Sequence, residues 1–146
     1  LLFRFVEKHG KLLHDMIKEE SNGRTIFFVH GGTDADTREQ IRYAVESERD
    51  AIIVASYGVY SVGVNIRNLS NIIFSSPSKS RIRNLQSIGR GLRKMKGKKI
   101  ATLYDVADDL RSKEKNNYTL QHYNERIQIY REEKFPVSHF HVQLKQ

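Results

Sequence analysis

Short apolar runs rich in β-branched residues alternate along the chain with longer amphipathic stretches. The runs predict strands at residues 1–6, 25–30, 51–55, 71–75 and 99–106, and the amphipathic stretches predict helices at residues 8–20, 36–48 and 80–94. Strands that are apolar on both faces and separated by helices are typical of a parallel sheet covered on both sides. The predicted fold class is therefore α/β, a doubly wound, mainly parallel sheet with helices on both faces.

The loops that follow the predicted strands are the places to look for a site. Ligands of doubly wound sheets bind beyond the carboxyl ends of the strands. In this sequence those loops are residues 30–36, 56–68, 75–80 and 105–109. The helices between them should cover the sheet, the first of them through one apolar face formed by Leu12, Leu13, Met16 and Ile17.

The last part of the chain has a different pattern. After a polar link at residues 111–117, apolar residues recur at helical spacing, at Leu120, Tyr123, Ile127 and Tyr130. Such a stripe usually packs against a core, whereas an exposed one would indicate an interaction platform. The alternation of Phe140, Val142 and Leu144 predicts a short final strand. We therefore expect a domain at residues 1–111 and a C-terminal extension, a helix plus a short strand, at residues 112–146.

Charge is distributed unevenly along the sequence. The chain has 25 Lys and Arg against 17 Asp and Glu, a formal net charge of +8, yet residues 51–104 contain no acidic residue. The same segment contains ten basic residues, Arg67, Lys79, Arg81, Arg83, Arg90, Arg93, Lys94, Lys96, Lys98 and Lys99. A segment of one sign indicates a polyanionic ligand, either nucleic acid or nucleotide phosphate. A solvated basic face is the alternative.

Composition excludes several other classes of protein. The absence of Cys excludes a disulfide scaffold, a zinc finger and a thiol nucleophile. The apolar runs are too short to cross a bilayer and no signal-peptide pattern is present, so the sequence predicts a soluble intracellular protein. The chain begins inside an apolar run without Met, which suggests a piece of something longer. His139 and His141 resemble a metal pair, but no Cys or carboxylate accompanies them, and no metal is predicted.

The densest candidate for chemistry is the run QSIGRGLR at residues 86–93. Arg90 and Arg93 are three residues apart on a predicted helix, so both guanidinium groups can reach one anionic centre. Arginine suits this role because its planar fork donates bidentate hydrogen bonds to phosphate and stays charged. A basic, solvent-facing helix with incidental glycines is the alternative.

Two further candidates follow apolar strands. In residues 55–66, Ser56 and the amides near Gly58 can donate to a phosphate, and Asn65 can hydrogen-bond a sugar hydroxyl. In residues 30–33, the Gly31-Gly32 backbone can hold a nucleic-acid phosphate. A long loop and a plain strand-ending turn are the respective structural alternatives.

Taken together and in this order, the three segments resemble the second RecA-like motor domain of superfamily-two helicases. Residues 55–66 resemble motif V, residues 86–93 resemble motif VI, and residues 1–6 with residues 28–33 resemble the motif IV region. The resemblance covers about residues 1–110. Within the superfamily, the run NIRNLSNIIFSSPSKS before QSIGRGLRK is most similar to bacteriophage DNA helicases that act on branched recombination and replication intermediates.

The resemblance implies a role for individual residues. Arg90 and Arg93 correspond to arginine fingers that reach the γ-phosphate of ATP, and Gln86 corresponds to a residue of the nucleotide cleft. Gly63 and Asn65 correspond to the Gly-x-Asp of motif V, with Asn in place of the more frequent Asp. The resemblance implies that Gly31, Gly32 and Ser56 hold the nucleic-acid backbone. Tyr57, Lys79 and Arg81 are further candidates for contact with nucleic acid, and for Lys79 and Arg81 exposure to solvent is the alternative.

The resemblance also implies partners, because the chain lacks both a phosphate-binding Gly-x-x-x-x-Gly-Lys-Ser/Thr loop and an acidic Mg²⁺ motif. ATP with Mg²⁺ should be bound mainly by an N-terminal RecA-like domain of the same protein, and this chain alone should be inactive. The expected partners are that domain and DNA, with no membrane, and the expected location is intracellular, in the host cytoplasm for a phage protein. A non-motor, nucleic-acid-binding α/β module is the alternative.

Overall fold

A single parallel sheet organises the main part of the molecule. The computed structural model describes residues 2–3, 6–62, 66, 69–75, 101–109 and 117–143. The strands are β1 (Leu2–Phe3), β2 (Ile26–Val29), β3 (Ile52–Ser56), β4 (Asn71–Phe74) and β5 (Thr102–Asp105). They are all parallel and lie in the order β2-β3-β1-β4-β5, so β1 is the central one of these five strands. This confirms the predicted α/β fold class.

Helices connect the strands. A π-helical turn (Val6–Gly10) leads into α1 (Lys11–Glu20), and α2 (Ala35–Ser47), α3 (Tyr57–Val62) and α4 (Tyr118–Glu132) follow. The crossover from β1 to β2 runs one way across the sheet and the crossover from β2 to β3 runs back. Because such crossovers are right-handed, α1 and α2 cover opposite faces of the sheet.

The core is centred on the inner strands. Val29, Val54, Ala55 and Phe74 are each no more than 1% exposed. Val54 and Ala55 are consecutive in β3, and successive side chains of a strand point to opposite faces. Their joint burial shows that both faces of β3 are covered, as a doubly wound sheet requires. On β5, in contrast, Tyr104 is 51% exposed.

Three local predictions differ from the structure. The described part of β1 is Leu2–Phe3, and Val6 already belongs to the π-helical turn, so the strand predicted at residues 1–6 extends too far at its C-terminal end. Residues 57–62, predicted as loop, form α3. On α1, Leu12 and Met16 are 58% and 56% exposed, while Leu13 and Ile17 are half-buried. The two pairs form adjacent rows of the helix, and only the second row is partly covered.

The chain divides into two compact units, Leu1–Val106 and Ala107–Gln146. In the second unit, the Asn117 side chain accepts a hydrogen bond from Leu120 N–H at the start of α4, and the Asn117 amide donates to the Asp108 carbonyl at 3.0 Å. Within α4, Ile127 and Tyr130 are buried and Leu120 and Tyr123 are half-buried, so the predicted stripe is not an exposed platform. The division predicted at residue 111 falls outside the described residues and stays a prediction.

The final strand predicted from Phe140, Val142 and Leu144 is not formed over residues 137–143. Phe140 and Val142 are 85% and 80% exposed, so the alternation is present without the buried face that would hold a strand in place. Leu144 lies outside the described residues, as do the helix predicted at residues 80–94 and the start of the strand predicted at residues 99–106. Among the described residues, no helix is long and apolar enough to cross a membrane.

Candidate functional site

The carboxyl ends of all five strands meet at one edge of the sheet. Residues paired across the strands form a row that runs through Val29, Ala55, Leu2, Phe74 and Asp105. One residue further on, β2 leads into the turn at residues 30–33, β3 ends at Ser56, and β4 leads into Ser75. The edge therefore brings together the starts of the loops that the sequence marks for ligand binding.

The turn at residues 30–33 is closed by three hydrogen bonds. The Thr33 N–H donates to the His30 carbonyl at 3.0 Å, and the His30 N–H donates to the Thr33 hydroxyl at 3.1 Å. The Gly32 N–H donates to Nδ1 of the His30 ring at 3.1 Å. A Cβ atom at Gly32 would lie 3.0 Å from Cε1 and 3.2 Å from Nδ1 of that ring, whereas a Cβ at Gly31 would meet no atom within 4 Å. A side chain at position 32 would therefore press on the His30 ring, whereas position 31 opens to solvent.

The helix that follows the turn is capped by Asp34. Its carboxylate accepts from the Thr37 N–H at 2.8 Å and from the Thr37 hydroxyl at 2.7 Å. These two hydrogen bonds, with the backbone bond as the larger cause, hold the pKa of Asp34 below its usual value. The carboxylate satisfies a free amide of the first turn of α2 and places a negative charge beside the helix N-terminus.

At the end of β3, two residues predicted to hold nucleic acid are buried. Ser56 is 8% exposed and Tyr57 is 3% exposed. The Tyr57 ring packs on Phe74, so the side chain belongs to the core between β3 and β4. The sequence places Tyr57 directly after a strand but does not show that its side chain is buried. At that position the sequence does not distinguish the first residue of a helix from the first residue of a loop.

The remaining predicted site residues lie outside the described residues. For the nucleotide these are Gly63, Asn65, Gln86, Arg90 and Arg93, and for nucleic acid they are Lys79 and Arg81. Their roles stay predictions that rest on residue type, order and position after β3 and β4.

His30 is a residue of this edge for which the sequence suggested no separate role. Its ring makes the hydrogen bond to Gly32 and packs on Phe28 with centroids 5.3 Å apart. A His placed directly before two glycines at a strand end is the signal that could have found it. His139, considered as half of a metal pair, hydrogen-bonds the Tyr123 hydroxyl at 2.7 Å. Among the described residues, no group of three His, Cys, Asp or Glu side chains is arranged to hold a metal ion.

Comparison with known proteins identifies relatives of the chain. It is 39% identical over 145 residues to the ATP-dependent DNA helicase uvsW of Enterobacteria phage T4, covering 92% of this chain and 28% of that protein. It is 30% identical over 93 residues to the putative ATP-dependent helicase IRC3 of Saccharomyces cerevisiae, covering 64% of this chain and 13% of that protein. The chain thus spans less than a third of the length of either relative.

Solved structures agree in fold. The crystal structure of T4 UvsW superposes with a TM-score of 0.68 at 35% identity, covering 92% of this chain and 28% of that chain. The C-terminal part of the Fun30 ATPase domain superposes with a TM-score of 0.61 at 12% identity, covering 92% of this chain and 48% of that chain, and supports the fold alone. The sheet is accordingly RecA-like.

The family follows from a match along most of the sheet. The pattern of the helicase conserved C-terminal domain matches residues 3–95, which include the turn at residues 30–33, the segment after β3 and the run QSIGRGLR. These are the segments on which the resemblance to superfamily-two helicases rests. The chain belongs to the helicase conserved C-terminal domain family, the second motor domain of superfamily-two helicases.

Proposed function

We propose that this chain is the C-terminal motor domain of an ATP-dependent DNA helicase or translocase that acts on branched recombination or replication intermediates. One observation carries the proposal: a parallel RecA-like sheet brings the turn at residues 30–33 and the start of the segment after β3 to one carboxyl edge, within a match to the helicase conserved C-terminal domain over residues 3–95. The similarity to a phage DNA helicase supports DNA as the substrate and an intracellular location, the host cytoplasm for a phage protein.

On the nucleotide side, Arg90 and Arg93 donate hydrogen bonds to γ-phosphate oxygens of ATP. ATP and Mg²⁺ are held mainly by an N-terminal RecA-like domain, and Mg²⁺ supplies charge neutralisation between the phosphates. Gln86 lies at the same cleft, and Gly63 and Asn65 contact the nucleotide sugar. The donor set fits a polyanion, since residues 51–104 contain ten basic side chains and no carboxylate that would repel it.

On the nucleic-acid side, the Gly31-Gly32 turn and Ser56 hold the sugar-phosphate backbone, with Lys79 and Arg81 supplying charge. Tyr57 acts through its main chain, because its ring is buried. Such contacts fix position and carry no base preference. They suit a motor that moves along strands of any sequence.

We infer that the two sides are coupled through closure of the motor domains. When the arginines engage the γ-phosphate, the two motor domains close. Loss of that contact after hydrolysis lets them open, and alternating closure moves the grips along the strand. Each arginine acts on transition-state charge, a contribution commonly worth about 10³ to 10⁵ in rate.

The proposal is tested by Arg93→Ala in the full-length protein that carries this domain. DNA-stimulated ATPase should fall by about 10³ while DNA binding persists. Arg24→Ala is the matched control, because Arg24 is exposed and precedes β2, at the opposite edge of the sheet. Near-normal ATPase in Arg93→Ala would contradict the finger assignment.

A second test uses the 146-residue chain by itself. It should hydrolyse no ATP, and saturable turnover by the purified chain would contradict the division of the active site between two domains. A non-motor, nucleic-acid-binding module would instead bind DNA tightly in this isolated form, with an affinity independent of ATP in the full-length protein.

A further inference from the structure

The turn at residues 30–33 uses most of its own hydrogen-bonding groups internally. The N–H groups of His30, Gly32 and Thr33 all donate within the turn, to the Thr33 hydroxyl, the His30 ring and the His30 carbonyl. A phosphate therefore cannot be held by these three amides without breaking the turn. The Gly31-Gly32 backbone alone is a weaker anion site than the sequence suggests.

The hydrogen bond from Gly32 fixes the chemical form of the His30 ring. A backbone N–H can only donate, so Nδ1 must be the acceptor and the ring hydrogen must be on Nε2. The ring is held in this position by Phe28, whose centroid is 5.3 Å away. Phe28 in turn contacts the His14 ring of α1, with centroids 5.2 Å apart. His30 therefore carries a donor at Nε2 on a positioned ring.

Two donors of the turn remain available. In the part of the chain that the structure describes, neither Nε2 of His30 nor the N–H of Gly31 has a hydrogen-bond partner. Gly31 is exposed and His30 is half-exposed, and a Cβ at Gly31 would meet no atom within 4 Å. The nearby carboxylate of Asp34 accepts two hydrogen bonds from Thr37 and lies beside the start of α2, which favours a negative charge there.

We propose that His30 is itself a nucleic-acid-binding residue: its Nδ1 orders the turn through Gly32, and its Nε2–H donates to a backbone phosphate oxygen beside the Gly31 N–H. This inference rests on the proposed function and adds a residue and a hydrogen-bond donor to its nucleic-acid grip. We assign the contact to backbone phosphate, because such hydrogen bonds fix the position of a nucleic-acid strand without reading its sequence.

The test compares His30→Asn and His30→Ala in the full-length protein, with a fluorescent oligothymidylate as the probe in an anisotropy titration. Asn keeps an acceptor near the position of Nδ1 but has no donor at the position of Nε2, whereas Ala loses both. Both variants should weaken binding by about 2- to 10-fold, the effect of one neutral hydrogen bond. His141→Asn is the matched control, since His141 is exposed and belongs to the second compact unit, and this variant should bind as the wild type does.

Two outcomes overturn the proposal. Wild-type affinity in His30→Asn, with or without a loss in His30→Ala, would show that Nε2 makes no contact. Imidazole ¹⁵N shifts that place the hydrogen on Nδ1 would show that the ring form is wrong. The DNA-stimulated ATPase of Arg93→Ala tests the proposed motor function. The DNA affinity of the His30 variants tests the His30 contact, so the two proposals can fail independently.

Discussion

The aromatic ring of Tyr57 packs against that of Phe74, with centroids 5.5 Å apart and planes inclined by 53°. Tyr57 is the first residue of α3 and Phe74 is the last residue of β4, so the pair connects the elements on either side of β1. The contact anchors the start of the segment that leads to Gly63 and Asn65. The side chain of Tyr57, predicted to contact nucleic acid, is thus part of the hydrophobic core at this edge of the sheet.

Phe74→Ala should reduce the free energy of unfolding by about 3 to 5 kcal/mol, because it leaves a cavity against Tyr57 at a position that is 0% exposed. Urea unfolding followed by circular dichroism measures the loss. Tyr104→Ala, at an aromatic position on β5 that is 51% exposed, should cost far less. Equal losses in the two variants would contradict the assignment of Phe74 to the core.

Gly31→Ala and Gly32→Ala should behave differently. The methyl group at position 31 meets no atom, so stability should change by no more than about 0.5 kcal/mol while DNA binding weakens. The methyl group at position 32 presses on the His30 ring and should displace it, with loss of the hydrogen bond to Nδ1. Amide exchange at position 32 and DNA affinity are the measurements. Unchanged affinity in Gly31→Ala would remove this turn from the nucleic-acid grip.

The Asp34 cap predicts a pH dependence of stability. The folded-state pKa is below the ordinary aspartate value of 3.8, so the folded state binds its proton less readily than the unfolded state. The stabilisation is therefore complete above that ordinary value and is lost as the pH falls through the lowered one. Asp34→Asn should lose this contribution at neutral pH and converge with the wild type in acid.

Unfolding curves of both proteins measured between neutral pH and strong acid test this difference. The pKa of Glu39 is also lowered, chiefly by its hydrogen bond with Arg42, but that group is common to both proteins and cancels in the comparison. A constant difference between wild type and Asp34→Asn across the acid range would contradict the assigned cause.

Lys79 and Arg81 are expected to contribute charge without base preference. Replacing either with Ala in the full-length protein should weaken binding to all DNA sequences alike and reduce the magnitude of the log-log salt slope by about 1. Anisotropy titrations at several salt concentrations measure the slope. Lys18→Ala on α1, away from the basic segment, is the control and should leave the slope unchanged. An unaltered salt slope in both Lys79→Ala and Arg81→Ala would show that these side chains face solvent and do not contact DNA phosphates.

Much of the sheet was predictable from the sequence because its strands bury both faces. The runs at residues 25–30 and 51–55 each differ from the observed strand by one residue at each end, since continuous apolar runs are a strong signal. The final strand was predicted wrongly at Phe140 and Val142, because alternation shows only that a face could be buried. Whether another element covers that face depends on tertiary packing.

The sequence predicted which loops form the candidate site, but it did not predict the hydrogen bonds and side-chain contacts within them. Order along the chain and the rule for parallel sheets place the turn at residues 30–33 and Ser56 at the same edge. The acceptor role of His30 depends on the geometry of one turn, and the burial of Tyr57 depends on Phe74, which follows it by 17 positions in the printed sequence. Contacts between distant residues of this kind have no local signature.

The central position of β1 has a consequence for the time course of folding. Leu2 is paired with Ala55 on one side and with Phe74 on the other, so the middle of the sheet is completed by residues that are far apart in the chain. Such non-local pairings require the closure of long loops before any contact is gained, which slows folding. During synthesis, β1 is made before β3 and β4, and it stays unpaired until both of these neighbours have been made.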